Sequence, residues 1–190
     1  MQIVKKPLSE ETVFGELGSQ LSPFPHFVSP YRLRYSRDFF RRPEMQRQEA
    51  ITIAIASDDE QILATRDVML QLRPSLPSRE YLLTVRRMML ADGYRLVALH
   101  ENGDVRAVAG YRFMEMLYCG KILYVDDLNT DQAHRSRGFG KALLDWLKSE
   151  ARANGCAQLH LDSGVQRENT HRFYFREGLT ISAYHFRTSV

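Results

Sequence analysis

The six residues Arg135-Ser136-Arg137-Gly138-Phe139-Gly140 carry more information about this chain than any other stretch of it. They lie between a predicted strand and a predicted helix. Gly138 and Gly140 lack a Cβ, so successive backbone N–H groups can approach a ligand closely at the positive end of the helix dipole. The two arginines of the stretch and Lys141 add positive charge, and an arginine binds phosphate through two donors. The loop predicts a site for an anion such as a pyrophosphate.

This loop departs from two common nucleotide-binding motifs. GxxxxGK[ST] is absent, and Leu143 stands where the dinucleotide fingerprint has its third glycine. Two glycines before a helix also occur in loops where they only turn the chain. The residues alone therefore leave both interpretations open, an anion site and a simple turn.

Regular elements follow one another closely on both sides of the loop. Alternating apolar residues predict strands at 51–56, 94–100, 105–116, 122–129, 158–162 and 181–186. Helical spacing and cap residues predict helices from Ser57 or Asp58 to before Pro74, and at 78–92, 139–154 and 168–177. The unit formed by the fourth strand, its helix and the fifth strand predicts two parallel neighbours in an otherwise antiparallel sheet. We expect an α/β fold of the α+β type, with helices covering the sheet.

Length and composition indicate a globular protein of one main domain. The chain has 190 residues, 44% hydrophobic and 26% charged, which is enough apolar material for a core. Two cysteines, Cys119 and Cys156, are too few for a disulfide scaffold and favour a reducing cytoplasm. The first residues lack the apolar region of a signal peptide, and no stretch approaches the ~20 apolar residues of a membrane span. We expect a cytoplasmic protein that does not contact a membrane.

Residues 1–50 differ in composition from residues 51–190. They hold five of the seven prolines among many aromatics, which predicts an extension packed on the main domain or on a second subunit, and so allows a homodimer. Residues 32–47 contain six arginines against Asp38 and Glu44. Arginines among aromatics can stack on bases, but the net charge of +3 is mild and we do not expect nucleic acid as a partner.

Two segments and the element order resemble the GNAT superfamily of N-acetyltransferases. Residues 135–140 look like its [QR]-x-x-G-x-[GA] signature, and Phe173-Tyr174-Phe175-Arg176-Glu177-Gly178-Leu179 is similar to its late F/L-Y-x-x-x-G-F element. The resemblance covers residues 51–190. It implies a mixed, mostly antiparallel sheet flanked by helices, in which the parallel fourth and fifth strands splay apart.

The resemblance also implies acetyl-CoA as co-substrate. The loop amides would hold the pyrophosphate, and free main-chain groups of the fourth strand would pair with the pantetheine arm. The positions that match these roles are Leu128, Asn129, Thr130, Arg135, Ser136, Arg137, Gly138, Phe139, Gly140 and Lys141.

Tyr174 matches the tyrosine that many members place near the sulfur of CoA. A departing thiolate has a conjugate acid of pKa near ~8.5, so a phenolic O–H can protonate it. The resemblance therefore implies that Tyr174 is the general acid.

An amine must lose a proton before it can attack a thioester, so a carboxylate is expected near the acetyl group. The candidates are Asp126, Asp162 and Asp127, in that order. Strand alternation places Asp126 on the face of Tyr124 and Asp127 on the opposite face. The resemblance does not choose between Asp126 and Asp162, because members carry an acidic residue in either position.

Other residues depart from the family pattern or carry no clear chemistry. Arg167 and Thr170 replace an asparagine and an alanine of many members, so Arg167 could bind an acidic substrate group or a CoA phosphate. Neither cysteine is placed for an acetyl-cysteine step, which favours direct transfer within a ternary complex. The histidines, His171 and His185 among them, show no metal-ligand spacing, and we expect no metal.

The acceptor is a small-molecule or peptide amine that the sequence does not identify. The alternative function is a catalytically silent module that binds an acyl-CoA or a protein partner.

Overall fold

A computed structural model of the chain describes residues 51–190. The extension predicted for residues 1–50 lies outside the described residues. The elements are β1 (Ile51–Ile55), α1 (Asp59–Leu72), α2 (Tyr81–Asp92), β2 (Arg95–Glu101), β3 (Asp104–Met116), β4 (Gly120–Thr130), α3 (Phe139–Ala153), β5 (Gln158–Leu161) and α4 (Glu168–Arg176).

In the described region the strands form one five-stranded sheet in the order β1-β2-β3-β4-β5. The first three pairs are antiparallel, whereas β4 and β5 are parallel. The predicted mixed sheet is confirmed, with its single parallel pair across the β4-α3-β5 unit. The element order is confirmed as far as α4.

The two faces of the sheet bury separate apolar clusters. On one face, α3 presents Phe139, Leu143, Leu147 and Ala151, spaced four residues apart, to the sheet residues around Tyr111. On the other face, α1 and α2 cover Leu96, Ala98 and Val108. A residue four positions on lies on the same helix face, and each large apolar side chain that is fully buried contributes roughly 1.5–3 kcal/mol. This packing fixes α3, and the loop before it, against β4.

Capping residues begin α1 and end α2 at the positions that the sequence predicts. Asp58 is the N-cap of α1: its side chain accepts from the Gln61 amide at 2.8 Å, and the Gln61 side chain accepts in return from the Asp58 amide at 3.3 Å. This reciprocal pair is a capping box. Gly93 ends α2 in a left-handed conformation, with φ 64°.

A β-bulge in β4 corrects the face assignment of the two adjacent aspartates. Gly110 pairs with Asp127 and Tyr111 pairs with Val125, so Asp126 has no partner residue on β3. The extra residue resets the alternation. Asp127 therefore points to the α1 face, as Tyr124 does, and the prediction that it lies on the opposite face is wrong.

The predicted last strand at 181–186 is also wrong. The described chain after α4 forms no strand, and the side chains of Ile181, Tyr184 and Phe186 are each at least two-thirds exposed. The alternation of apolar residues predicted a strand, but strand formation also needs a partner edge and a face to cover. Within residues 51–190 this segment pairs with no strand, and its large side chains cover no face of the sheet.

Gly110 leaves room for a buried tyrosine. A Cβ at this position would lie 1.8 Å from Tyr94 Oη, which donates to Asp127 Oδ2 at 2.8 Å. We expect Gly110→Ala to lower the free energy of unfolding by about 1–3 kcal/mol, because the tyrosine must leave its place. Urea denaturation measures the change.

Gly164→Ala is the matched control, since its Cβ would meet only the end of the flexible Gln166 side chain. We expect a change of about 0.5 kcal/mol or less for this variant. Equal stability of Gly110→Ala and the wild type would contradict the close contact with Tyr94.

Candidate functional site

The parallel strands β4 and β5 part in the middle of β4. Their last paired residues are Val125 and Leu161, and β4 continues to Thr130 paired only with β3. Asp126 and Asp162, two of the predicted bases, are the first residues beyond the fork. The edge of β4 that faces the fork beyond Val125 is not used by β5, as the prediction for residues 128–130 requires.

The predicted anion loop leads directly into α3. Ser136 and Gly138 have positive φ values of 63° and 85°, and Gly138 is the N-cap of α3 without a side-chain cap from the described residues. The first intrahelical bond runs from the Ala142 amide to the Gly138 carbonyl, so the amides of residues 139–141 precede it. A non-glycine residue at positive φ stores strain, which is common at ligand sites.

Gly140 serves the approach of α3 to its neighbours. A Cβ here would lie 3.2 Å from Thr130 Oγ1 and 3.7 Å from Phe173 Cζ. The missing side chain lets the first turn of α3 pack against the end of β4 and against α4. Its contribution to the loop is therefore close packing, in addition to the ligand access predicted from the sequence.

The cationic side chains of the loop are largely engaged by carboxylates. Arg137 makes a two-pronged ion pair with Glu101, Nη1 to Oε2 at 2.9 Å and Nη2 to Oε1 at 2.5 Å. The Glu101 side chain is only 5% exposed and also contacts Arg106 at 3.4 Å. Lys141 pairs with Asp145, which raises the pKa of the Lys141 ammonium. Arg137 thus anchors the loop to the end of β2.

A cavity of about 430 Å³ lies beside this loop. Its walls come from the end of α1, from β4, from the anion loop and from the segment that enters α4. The lining residues are Gln71, Leu72, Asn129, Arg135, Gln166, Arg167, Glu168, Asn169 and Thr170. Three predicted contacts of an anionic ligand, Asn129, Arg135 and Arg167, therefore share one cavity.

A second cavity, of about 480 Å³, contains two of the three candidate bases. Its lining is a mixture of acidic, basic, thioether and phenolic side chains. They are Arg112, Met114, Met116, Tyr124, Asp126, His160, Asp162, Ala183, Tyr184 and His185. We call it the carboxylate cavity.

Asp126 and Asp162 have different partners in the carboxylate cavity. Arg112 Nε donates to Asp126 Oδ2 at 2.9 Å. Burial raises the pKa of the Asp126 carboxyl above its usual range, and Arg112 opposes this. Asp162 Oδ2 accepts from Tyr124 Oη at 2.5 Å and lies 2.8 Å from His185 Nδ1.

The third candidate, Asp127, is enclosed and fully engaged. Tyr94 Oη donates to one carboxylate oxygen at 2.8 Å and Arg73 Nε donates to the other at 2.6 Å. Arg73 also donates to the Asp126 carbonyl at 2.8 Å. Because Arg73 is the C-cap of α1, this network ties the end of that helix to the bulge in β4.

Tyr174 lies on α4 outside the lining of both cavities. Its ring is 5.5 Å from that of Phe173, whose Cζ would contact a side chain at Gly140. Burial raises the pKa of the Tyr174 phenol above its ordinary value, and the Arg167 charge partly opposes this. The phenol is therefore protonated at neutral pH.

Sequence reasoning missed several residues of these networks. Glu101, Arg106 and Arg112 carry no local motif, because their partners lie on other strands or in the loop. The one available signal was the acidic residue directly before the Asn102-Gly103 turn, which places a charge at the end of a strand.

Residues 51–190 contain neither a metal-binding cluster nor a membrane-spanning helix. No group of three or more His, Cys, Asp or Glu side chains there could hold a metal ion. In the same residues, no helix has the length and apolar character needed to cross a bilayer. Both cysteines in this part are free and half-buried.

Comparison with known proteins gives consistent results. The profile of the Acetyltransferase (GNAT) family matches residues 21–178. An uncharacterized N-acetyltransferase, YhdJ of Bacillus subtilis, is 38% identical over 124 residues, 65% of this chain and 87% of that protein. The aminoalkylphosphonate N-acetyltransferase of Salmonella typhimurium is 38% identical over 94 residues, 50% of this chain and 59% of that protein.

Solved structures agree in fold. The aminoglycoside N-acetyltransferase AAC(6')-Iy in complex with CoA has a TM-score of 0.66 at 15% identity, covering 76% of this chain and 99% of that one. The profile spans most of the chain, and the Bacillus relative is matched over most of its length. The chain belongs to the GNAT family of acetyltransferases and is an N-acetyltransferase.

Proposed function

We propose that this enzyme transfers an acetyl group from acetyl-CoA to a primary amine by direct attack within a ternary complex. The observation that carries the proposal is the fork between β4 and β5. The start of α3, which has no side-chain cap, and the 430 Å³ cavity next to the anion loop lie beside the fork. The carboxylate cavity lies where the two strands part. One ligand would enter along the loop and the other through the carboxylate cavity, so that they meet at the fork.

The loop supports the binding of CoA by its main chain. Amides of residues 136–141 stand at the positive end of α3, where an anion is stabilised, and the Arg135 side chain lines the adjacent cavity. The main chain of Leu128, Asn129 and Thr130 faces the fork without pairing to β5, so the pantetheine amides can bind there. Lys141 is paired with Asp145 at the first turn of α3, and Arg137 holds the loop through Glu101.

The carboxylate cavity supports the binding of the amine. An ammonium group is attracted by Asp126 and Asp162, and either carboxylate is close enough to the fork to receive its proton. Asp127 uses both oxygens for Tyr94 and Arg73, so we assign it the positioning of the bulge. Holding the amine and the thioester in line can lower the activation free energy by roughly 7–11 kcal/mol.

Tyr174 is proposed as the general acid. A protonated phenol on α4 can donate to the sulfur as the C–S bond breaks, and its raised pKa keeps it protonated over the neutral range. It lies outside both cavity linings, so its hydroxyl would act from the wall of the fork where α3, β4 and α4 meet.

The acceptor proposed is a small-molecule amine. Relatives and structural neighbours are named for an aminoalkylphosphonate, an aminoglycoside and glucosamine 6-phosphate, which are all compact amines with polar substituents. A cytoplasmic location, a homodimer and a role of residues 1–50 stay predictions.

Turnover with Tyr174→Phe tests the enzyme and its acid together. We expect CoA release with at least one amine from a panel of an aminoalkylphosphonate, an aminoglycoside, glucosamine 6-phosphate and a lysine peptide. Tyr174→Phe should lower kcat about 10²-fold or more, because the thiolate leaves without a proton, while CoA affinity is kept. A thiol-trapping assay measures the rate, and calorimetry measures the affinity.

Tyr118→Phe is the control, since Tyr118 is exposed in the turn between β3 and β4. It should behave as the wild type. Tight CoA binding with no turnover on any amine would instead support the silent, acyl-CoA-binding alternative.

The ion pair behind the loop yields a separate prediction. Glu101→Gln keeps the shape of the side chain but removes the charge that holds Arg137, so the loop amides lose their fixed geometry. We expect the Kd for CoA to rise about tenfold, which corresponds to the ~1.5 kcal/mol at the lower end for a hydrogen bond to a charged group. Isothermal titration with CoA measures it, and thermal unfolding confirms that the variant is folded.

Asp104→Asn serves as the control for this variant, because Asp104 pairs with Arg106 but not with Arg137. Its Kd should not change. Tighter CoA binding by Glu101→Gln would mean that the released Arg137 binds phosphate directly, as the sequence alone suggested.

A further inference from the structure

A chain of three side chains, Tyr124, Asp162 and His185, crosses the carboxylate cavity. The Tyr124 phenol donates to Asp162 Oδ2 at 2.5 Å, and His185 Nδ1 lies 2.8 Å from the same oxygen. Tyr124 belongs to β4, Asp162 follows β5, and His185 belongs to the segment after α4. The tertiary structure thus joins three separate parts of the chain at the fork.

The partners of Asp162 fix how the histidine ring is protonated. An ionised carboxylate can only accept a hydrogen, so the 2.8 Å distance between His185 Nδ1 and Asp162 Oδ2 favours a hydrogen on Nδ1. In the neutral ring, Nε2 is then the free acceptor. Among the described residues Nε2 makes no hydrogen bond, and the side chain is 64% exposed, so a proton taken there can pass to water.

Tyr124 keeps this arrangement in place. Burial raises the pKa of its phenol, and the hydrogen bond to Asp162 raises it further. The phenol therefore stays a hydrogen-bond donor over the working pH range. It fixes the position of the Asp162 carboxylate, which in turn positions the His185 ring.

We propose that His185 is the general base, and that Nε2 removes the proton from the ammonium form of the acceptor. Asp162 is the residue that positions the ring, supported by Tyr124. The inference rests on the proposed function, because it names the proton acceptor for the same transfer.

Each alternative base within the cavity has at least one polar partner of its own. Arg112 donates to Asp126 Oδ2, so a positive charge stands beside that carboxylate, and Asp162 Oδ2 has two partners, Tyr124 and His185. His160, the other histidine of the cavity, is bonded through Nε2 to Gln158 on its own strand at 2.6 Å. The remaining titratable group that lines the cavity is Tyr184.

The proposed steps balance in atoms and charge. The ammonium gives one proton to His185 Nε2, which releases it to solvent. The amine lone pair forms the C–N bond, and the C–S bond breaks with its electron pair on sulfur. Tyr174 gives its proton to the sulfur and recovers the second amine proton. Acetyl-CoA and the ammonium thus yield the amide, CoA and one solvent proton.

The pH dependence of kcat/KM tests the base, using the best amine of the panel above between pH 5 and 9. The wild type should show an acidic limb, since a histidine base is lost on protonation in this range. His185→Gln should lower kcat/KM about 10²-fold at neutral pH and remove the limb attributed to the ring. Asp162→Asn should lower the rate but keep a limb, because the ring loses the contact that positions it while the base itself remains.

His160→Gln is the matched control, because it is a histidine of the same cavity without a bond to Asp162. Its KM for the amine can change, but the acidic limb should remain. A limb kept by His185→Gln and lost in Asp162→Asn would overturn the proposal in favour of Asp162 as the base. A limb lost only in Asp126→Asn would do so in favour of Asp126.

NMR of the histidine rings provides a readout that does not depend on turnover. Long-range ¹H–¹⁵N spectra should show the neutral His185 ring protonated on Nδ1 in the wild type, with that preference weakened in Asp162→Asn. Protonation on Nε2 in the wild type would overturn the proposal.

Different results refute the histidine base and the acetyltransferase activity. Turnover that is unchanged in His185→Gln refutes the base and leaves the acetyltransferase proposal intact. The absence of CoA release with every amine of the panel refutes both.

Discussion

The short parallel pairing of β4 with β5 is the constraint on which the rest of the site depends. Four residue pairs hold the strands together, ending at Val125 and Leu161, and beyond them β4 continues paired only with β3. A sheet edge in the middle of a fold presents unused main-chain donors and acceptors. The fork therefore creates a slot for an extended ligand, and it places Asp126 and Asp162 side by side at its origin.

The bulge at Asp126 determines which acidic side chain faces the carboxylate cavity at the fork. One extra residue turns Asp127 toward α1, where Arg73 and Tyr94 engage it, and leaves Asp126 beside Arg112 in the carboxylate cavity. Two adjacent acidic residues thus acquire different environments. Removing one partner of such a buried network leaves an unpaired charge, which makes the enclosed aspartate a firm anchor for the bulge.

The anion site is built from main chain more than from side chains. The sequence shows three cations around two glycines, but Arg137 is neutralised by Glu101 and Lys141 pairs with Asp145. What remains for a ligand is the row of amides at the start of α3, together with the Arg135 side chain that lines the adjacent cavity. Fixed dipoles need no reorganisation when an anion binds, so an ion pair that holds the loop rigid can contribute as much as a direct contact.

The sequence by itself determined the loop and the order of the elements up to α4, because turn residues, caps and helical spacing are local signals. Such local signals predicted the loop at residues 135–140, the capping residue Asp58 and the apolar stripe of α3. Tertiary structure alone decided the face of Asp127, the pairing of Glu101 with Arg137, and the irregular course of residues 181–186. A bulge depends on the neighbouring strand, a buried ion pair on a partner 36 residues away, and a strand on an edge to join. None of these partners lies within the few neighbouring residues on which a local sequence pattern depends.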